Sequence, residues 1–405
     1  MEIRPIFATL RKHRIPATLI VLEIALACAV LCNAVFMISQ RVRDIRLPSA
    51  IDEQGIVAVS LRGADPKLVA SEVPRNLAAL RGIAGAQAVA ATSSLPLSTD
   101  NWGWSFGLTP DSVVTDTHNT NVSLYFLSDG ADKALGLQLR QGRFFSAEEY
   151  ADSAIGAAAL PSTHVVVVTE ALARHLWPGQ SALGKTLYSK PNDFTVVGVV
   201  ADVLRPRLWG NDEKSYDSAY FPVGPDPALS YYILRSVPQD RNRVLQEALH
   251  KLQGLNPAAV ARGFTYIDLR NKYFANKSSM AWMLVLVCVV MLAVTAFGIV
   301  GLSSFWVTQR RQQIGIRRAV GATRTDILRY FQTENFLLAT LGIALGMLFA
   351  YGINLFLMAH YELPRLPLVY FPVGALALWL IGQCAVFGPA MRAAAVPPVV
   401  ATRSV

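Results

Sequence analysis

The sequence predicts an α-helical membrane protein with four transmembrane helices and a large α+β extracytoplasmic domain between the first two. Three observations predict this class. The 405 residues are 53% hydrophobic but only 16% charged, whereas average soluble domains are about 25% charged. Four long stretches carry almost no charge. The insert between the first two stretches instead carries 24 basic and 23 acidic residues, which is the balance of a folded domain in water.

Each uncharged stretch can form one transmembrane helix, because about 20 apolar residues cross the hydrocarbon core. The stretch at the N-terminus could also be a signal peptide, but it is longer than a signal core and no Ala-x-Ala site follows it. Its single charge, Glu23, has two open interpretations: a proton or substrate contact, or a group that pairs with a partner or reaches the interface. We place the helices at 16–38, 280–307, 332–358 and 369–391, the second being long enough to extend outward.

Lysine and arginine residues in the short loops predict the orientation. The N-terminal segment, the loop between the second and third helices and the C-terminal tail carry 12 of them, against one in the loop between the third and fourth. Both termini should therefore be cytoplasmic. The predicted inside segments are 1–15, 308–331 and 392–405, and the outside segments are the periplasmic core domain 39–279 and the short loop 359–368. Because the net charge of +9 lies mostly at this face of the membrane, we expect no nucleic-acid partner.

The inserted domain mixes strands and helices without regular alternation, which predicts the α+β class. Residues 240–253 place apolar side chains on one helical stripe. Residues 94–116 are rich in Gly, Pro, Ser and Asp and predict loops. The β-rich runs lie at 55–60, 122–127, 164–169, 195–200, 231–235 and 264–269.

One segment of this domain, 179–186, fits the phosphate-loop pattern G-x-x-x-x-G-K-[ST]. A phosphate loop runs from a strand directly into a helix, whereas Pro191 opposes a helix here and the segment lies on the side without ATP. We therefore predict a glycine turn before a strand. The six histidines are scattered without metal-ligand spacing and no G-x-S-x-G elbow occurs, so no catalytic residue and no metal ligand is predicted.

The loop after the second transmembrane helix predicts a short basic amphipathic helix near 311–320. A break at 321–322 follows, and then a helix capped by Thr323 or Thr325 runs into the third span. Two interpretations remain open: a membrane-surface helix, or a docking element whose apolar residues fill a groove of a cytoplasmic partner. Those apolar residues are Ile314, Ile316 and Val320.

This loop closely resembles the motif R-x-x-E-I-G-I-R-R-A-L-G-A-S-x-x-D-I of the FtsX/MacB-type permease family of ABC transporters. Gln313 stands where the family usually has Glu, and Val320 where it often has Leu. Segments 141–145, 167–170, 183–185 and 196–202 resemble the family's periplasmic core domain, and 391–398 its C-terminal ending. The residues that match the motif are Arg310, Ile314, Gly315, Ile316, Arg317, Arg318, Ala319, Gly321, Ala322, Asp326 and Ile327.

The resemblance implies a mechanism and partners. Such permeases act as dimers with a separate cytoplasmic ABC ATPase that binds ATP and Mg²⁺, so this chain is expected to hold no cofactor and to be no enzyme itself. The loop is expected to be the coupling helix seated on that ATPase, and the long second helix is expected to relay its motion outward. The implied coupling residues are Arg310, Ile314, Gly315, Ile316, Arg317, Arg318, Gly321, Ala322 and Asp326.

We therefore expect an efflux permease for antibiotics, peptides or other small molecules in the bacterial cytoplasmic (inner) membrane. Two other functions stay open: a signalling scaffold that controls a periplasmic hydrolase, and a lipoprotein-release permease. The second permease copy can be identical or a paralogue, and a periplasmic adaptor, an outer-membrane channel and membrane lipid are possible partners. In the third span Gly342, Gly346 and Ala350 repeat every four residues, which predicts close helix packing or small residues that face lipid.

Overall fold

The computed structural model describes residues 14–63, 65, 67–110, 120–151, 153–156, 160–189, 192–208, 214–361 and 365–395. The chain divides into two compact units. The core-domain unit is Leu47–Ala275, and the membrane unit combines Met1–Arg46 with Asn276–Val405. Most of the predicted cytoplasmic N-terminal segment, most of the tail and part of the loop 359–368 lie outside the described residues.

The helices are α1 (Arg14–Ile45), α2 (Val69–Arg81), α3 (Ala131–Leu135), α4 (Ala147–Ala151), α5 (Glu170–Leu176), α6 (Arg241–Leu255), α7 (Tyr266–Gln309), α8 (Arg311–Ala319), α9 (Arg324–Tyr361) and α10 (Tyr370–Ala394). The strands are β1 (Ile56–Arg62), β2 (Ala88–Thr92), β3 (Trp102–Phe106), β4 (Thr120–Leu127), β5 (Leu139–Gly142), β6 (Val165–Thr169), β7 (Thr186–Leu187), β8 (Phe194–Val200), β9 (Ser218–Pro222), β10 (Tyr231–Arg235) and β11 (Val260–Thr265).

One mixed sheet organises the core-domain unit. Its strands follow the order β11-β1-β10-β2-β4-β9-β6-β8-β5, with β3 added on β4 and β7 on β8. The pairs β4–β9 and β6–β8 are parallel and the other pairs are antiparallel. Because successive side chains of a strand point to opposite faces, Val57 and Val59 join one core while Ala58 joins the other. Helices α2, α5 and α6 contribute to the first core and α3 to the second.

Within the described part of the membrane unit, four helices are long and apolar enough to cross a membrane: α1, α7, α9 and α10. In the most apolar stretch of α1, 61% of the residues are buried, whereas the corresponding fraction in α7 is only 17%. Together with the α+β domain between the first two of these helices, this confirms the predicted fold class. Helices α1 and α7 extend beyond their predicted spans, and the core-domain unit is shorter than the predicted range 39–279.

Two secondary-structure predictions were wrong. The run 264–269 alternates like a strand, but β11 ends at Thr265 and α7 begins at Tyr266. The hydroxyl of Thr265 accepts a hydrogen bond from the backbone N–H of Asp268 at 3.2 Å, which caps the helix. Within 94–116, part of which lies outside the described residues, β3 forms a strand because its alternating aromatic side chains pack against β4 and its neighbours.

Candidate coupling site

Helix α8 is a separate short helix between α7 and α9, as the sequence predicted. It ends at Ala319 with Val320 as its C-cap, and the next residue, Gly321, has a φ of +110°, a backbone conformation that residues with a Cβ rarely adopt. The backbone N–H of Ala322 donates to the carbonyl oxygen of Arg317 at 3.0 Å, and that of Gly321 donates to Arg318 at 3.2 Å. These bonds close the turn and reverse the chain toward α9.

The start of α9 is capped by Thr323 rather than Thr325. The Thr323 hydroxyl accepts from the backbone N–H of Asp326 at 3.2 Å, and the Asp326 carboxylate accepts from the backbone N–H of Thr323 at 3.0 Å. This reciprocal pair is a capping box. Asp326, which matches the family motif, therefore fixes where α9 begins.

A buried ion pair joins the start of α8 to α9. Nη1 of Arg310 lies 3.0 and 3.1 Å from the two carboxylate oxygens of Glu334. The two residues are only 5% and 2% exposed. The Arg310 guanidinium also lies over the ring of Trp306, 5.1 Å from its centroid. Because both charges are buried together, the pair constrains the position of α8 relative to α9.

Two further arginines of α8 contact neighbouring helices. The guanidinium carbon of Arg317 lies 4.8 Å from the ring centroid of Tyr330 on α9. Nη1 of Arg318 donates to the carbonyl oxygen of Ala394, in the last residue of α10, at 3.1 Å. These contacts are local and lie within the membrane unit.

The apolar residues of α8 do not share one face, which corrects the predicted docking surface. Ile314 is 4% exposed and packs in the same core as Ile327 and Phe331, and Gly315 is also buried. Ile316 and Val320 are 50% and 84% exposed. The reason is geometric: two helical residues two positions apart point about 200° apart. Ile314 therefore cannot fill a partner's groove together with Ile316.

The small residues of α9 lie against α1. A Cβ added at Gly342 would lie 2.9 Å from Ile24 Cβ, and one added at Gly346 would lie 2.5 Å from Cys28 Cβ. Ala350 is fully buried, and its carbonyl oxygen accepts from Nδ2 of Asn33 at 3.2 Å. The absence of larger side chains thus allows the two helices to approach closely.

Glu23 contacts α7 inside the membrane unit. A Cβ added at Gly298 would overlap its carboxylate, so this glycine makes room for the charged group.

Sequence reasoning missed Glu334, Trp306 and Tyr330. Glu334 is the carboxylate that immediately precedes the uncharged stretch of the third span. A carboxylate at that depth needs a partner, and Arg310 at the end of the preceding uncharged stretch was the available cation. The two aromatic residues gave no comparable signal in the sequence.

The phosphate-loop pattern has a structural role. Residues 179–186 lead into β7 and not into a helix, and Nζ of Lys185 lies 3.1 Å from Oε1 of Gln180. The segment is therefore the predicted glycine turn before a strand. Among the described residues, no group of three or more His, Cys, Asp or Glu could hold a metal ion.

Comparisons with known proteins cover both units. The family model of the MacB-like periplasmic core domain matches residues 18–259, and that of the FtsX-like permease C-terminal matches 285–398. The ABC transporter permease YvrN of Bacillus subtilis is 27% identical over 304 residues, covering 71% of this chain and 72% of YvrN.

The chain spans less than half the length of the macrolide export ATP-binding/permease proteins MacB that it matches. The MacB of Chromobacterium violaceum is 26% identical over 311 residues, covering 71% of this chain and 46% of that protein. The solved periplasmic region of MacB from Actinobacillus actinomycetemcomitans is 15% identical, with a TM-score of 0.38, covering 57% of this chain and 97% of that region.

Proposed function

The chain belongs to the ABC transporter permeases that join a MacB-like periplasmic core domain to an FtsX-like membrane region, and from this membership we propose that it couples a separate cytoplasmic ATPase to efflux. In this proposal the ATPase binds ATP and Mg²⁺, and the permease holds no cofactor. The substrates are antibiotics, peptides or other small molecules. The match of the core domain to the macrolide exporters supports export over the signalling and lipoprotein-release alternatives.

The observation that carries the proposal is the exposure of Ile316 and Val320 on a helix whose other face is fixed. Such exposed apolar side chains on a short basic helix are suited to a hydrophobic groove of a partner protein. The Arg310–Glu334 pair and the buried Ile314 tie the opposite face to α9. Movement of the partner would therefore move α8 and α9 together.

The relay to the core domain is α7, which is 44 residues long. At 1.5 Å per residue it measures about 66 Å, about twice the ~30 Å hydrocarbon core. It begins in residues of the core-domain unit and continues without interruption through the membrane unit. Movement at its cytoplasmic end can thus reach the outer domain without passage of the substrate through the membrane helices.

We further propose a dimer in the inner membrane with all termini in the cytoplasm. The apolar stretch of α7 is largely uncovered within this chain, with Trp282 and Phe297 more than 70% exposed. A second permease copy, identical or paralogous, and lipid would cover this face. A periplasmic adaptor and an outer-membrane channel would continue the export route.

Co-purification in a gentle detergent tests the proposal. The wild-type chain should retain an ABC ATPase, and Ile316→Asp should reduce the retained amount at least about tenfold by burying a charge in an apolar contact. Val260→Asp, at a position 55% exposed in the core-domain unit, is the matched control and should retain the ATPase. ATP hydrolysis by the purified chain alone would contradict the proposal, as would equal retention by both variants.

A further inference from the structure

A small cavity lies between α8 and α9 in the membrane unit. Its volume is about 30 Å³, which is room for one or two water-sized groups. Arg310, Ile314 and Phe331 are buried, whereas Gln313 and Arg317 are exposed and give access. The polar side chains that line it are those of Arg310, Gln313, Arg317 and Tyr330.

The buried arginine of this cavity has an unused donor. Nη1 of Arg310 donates hydrogen bonds to both carboxylate oxygens of Glu334. Nη2 has no hydrogen-bond partner among the described residues. Arg310 is 95% buried, so its Nη2 can meet an acceptor only inside the cavity. A buried donor without an acceptor is unfavourable, which indicates that an acceptor enters the cavity.

The charges around the cavity specify an anion. Its lining contains two guanidinium groups and no carboxylate. The charge of Glu334 is already matched by Arg310, so the charge of Arg317 remains. The amide of Gln313 and the hydroxyl of Tyr330 can also donate. Several donors that converge with excess positive charge favour an acceptor with several oxygens.

We propose that this cavity binds a phosphate group, carried by an anionic phospholipid or present as free phosphate. One or two phosphate oxygens enter and accept from Nη2 of Arg310, and the remaining oxygens stay at the mouth near Arg317 and Gln313. Tyr330, which lines the cavity, is a residue type enriched where helices meet lipid headgroups, which favours the lipid source. A bound phosphate joins α8 to α9 through a contact that is independent of any ATPase.

The test measures binding to the full-length chain in detergent. One arm compares retention of phosphatidylglycerol with that of phosphatidylcholine by native mass spectrometry. The other arm titrates sodium phosphate against sodium chloride at equal ionic strength and follows the melting temperature. A response in the first arm identifies the lipid source and a response in the second identifies free phosphate; either response supports the proposal.

The decisive variant is Gln313→Glu, which places a carboxylate at the cavity. It should weaken phosphate or phosphatidylglycerol binding about tenfold, and it should raise the melting temperature without ligand because the new charge faces two arginines. A misfolded variant would lower that temperature instead. Arg317→Gln should also weaken binding, whereas Arg311→Gln, an exposed arginine of α8 that does not line the cavity, should not.

The proposal is overturned if neither arm responds in the wild type. It is also overturned if Gln313→Glu and Arg317→Gln bind as strongly as Arg311→Gln. Neither result bears on the efflux function, because ATPase retention is measured separately.

Discussion

At the scale of single residues, the Arg310–Glu334 pair holds the start of α8 against α9. Removal of one partner from a buried ion pair leaves an uncompensated charge, whereas replacement of both by apolar residues is often tolerated. The pair is bidentate on the carboxylate side and almost fully buried. Replacing each residue alone and then both together therefore shows whether the ion pair stabilises the fold.

Arg310→Met and Glu334→Met should each lower the free energy of unfolding by about 3–5 kcal/mol. The double variant should recover most of that loss, because neither charge then remains buried alone. Thermal unfolding in detergent measures all three. Additive losses in the double variant would show that the two residues do not interact.

In the core-domain unit, Arg143 and Glu149 form an ion pair with a pH dependence. Two hydrogen bonds from Arg143, at 2.7 and 2.8 Å, hold the pKa of Glu149 below its ordinary value of 4.5, and the backbone N–H of Ser146 adds to the effect. Because the pKa is lower in the folded state, the carboxylate stabilises the fold fully above about pH 4.5. That stabilisation is lost as the pH falls through the folded-state pKa.

Glu149→Gln should therefore lower the melting temperature by a constant amount at neutral pH, and the difference from wild type should shrink below about pH 4.5. Glu148→Gln, at an exposed neighbour on α4, is the control and should change little at any pH. Melting curves between pH 3.5 and 7.5 measure both. A difference that grows toward acid pH would refute the assigned pKa direction.

At the scale of elements, the packing of α9 on α1 depends on small residues. Gly346→Val should cost about 1–3 kcal/mol, because its Cβ would already lie 2.6 Å from the backbone oxygen of Ala25. Gly352→Val on the same helix is the matched control, since an added Cβ there meets nothing within 4 Å. Thermal unfolding compares the two, and equal losses would mean that helix propensity, not packing, causes the effect.

Two helix starts are capped by a threonine hydroxyl with an aspartate three residues later, and the sequence revealed only one of them. Thr323 and Asp326 form a capping box after an obvious glycine break, so the helix start was predictable. Thr265 and Asp268 have the same spacing, but the alternating run around them imitates a strand. At that junction the chain forms a helix capped by Thr265, although its two-residue periodicity favours a strand.

At the scale of the whole molecule, a variant in the segment 179–186 tests whether ATP is bound by another chain. Lys185→Ala should leave ATP turnover of the assembled complex unchanged, because the segment is a turn that leads into β7. Ile316→Asp in the same complex should reduce turnover and serves as the responsive comparison. Loss of turnover in Lys185→Ala would contradict the reading of this segment as a structural turn.

Composition and charge predicted the four membrane helices and the inserted domain, because a helix that crosses the lipid core needs a long stretch of uncharged, apolar residues. The strands β2, β3, β5 and β9 and the ion pair at Glu334 were not predicted. β2, β5 and β9 pair with strands far away in the chain, and no local pattern reports such pairing. Helical periodicity alone could have shown that Ile316 lies on a different face of α8 from Ile314.

The central claim is that α8 contacts an ATPase through its exposed residues, and site-directed cross-linking tests it most directly. Val320→Cys in a Cys384→Ser background leaves only the buried Cys28, Cys32 and Cys288 as native thiols. The cross-linker carries a maleimide, which reacts with the introduced cysteine, and a second group that reacts with amines of a nearby protein. In native membranes it should join Val320→Cys to the ABC ATPase and should not join Val260→Cys to it. Absence of that product, or an equal yield at both positions, would contradict the account.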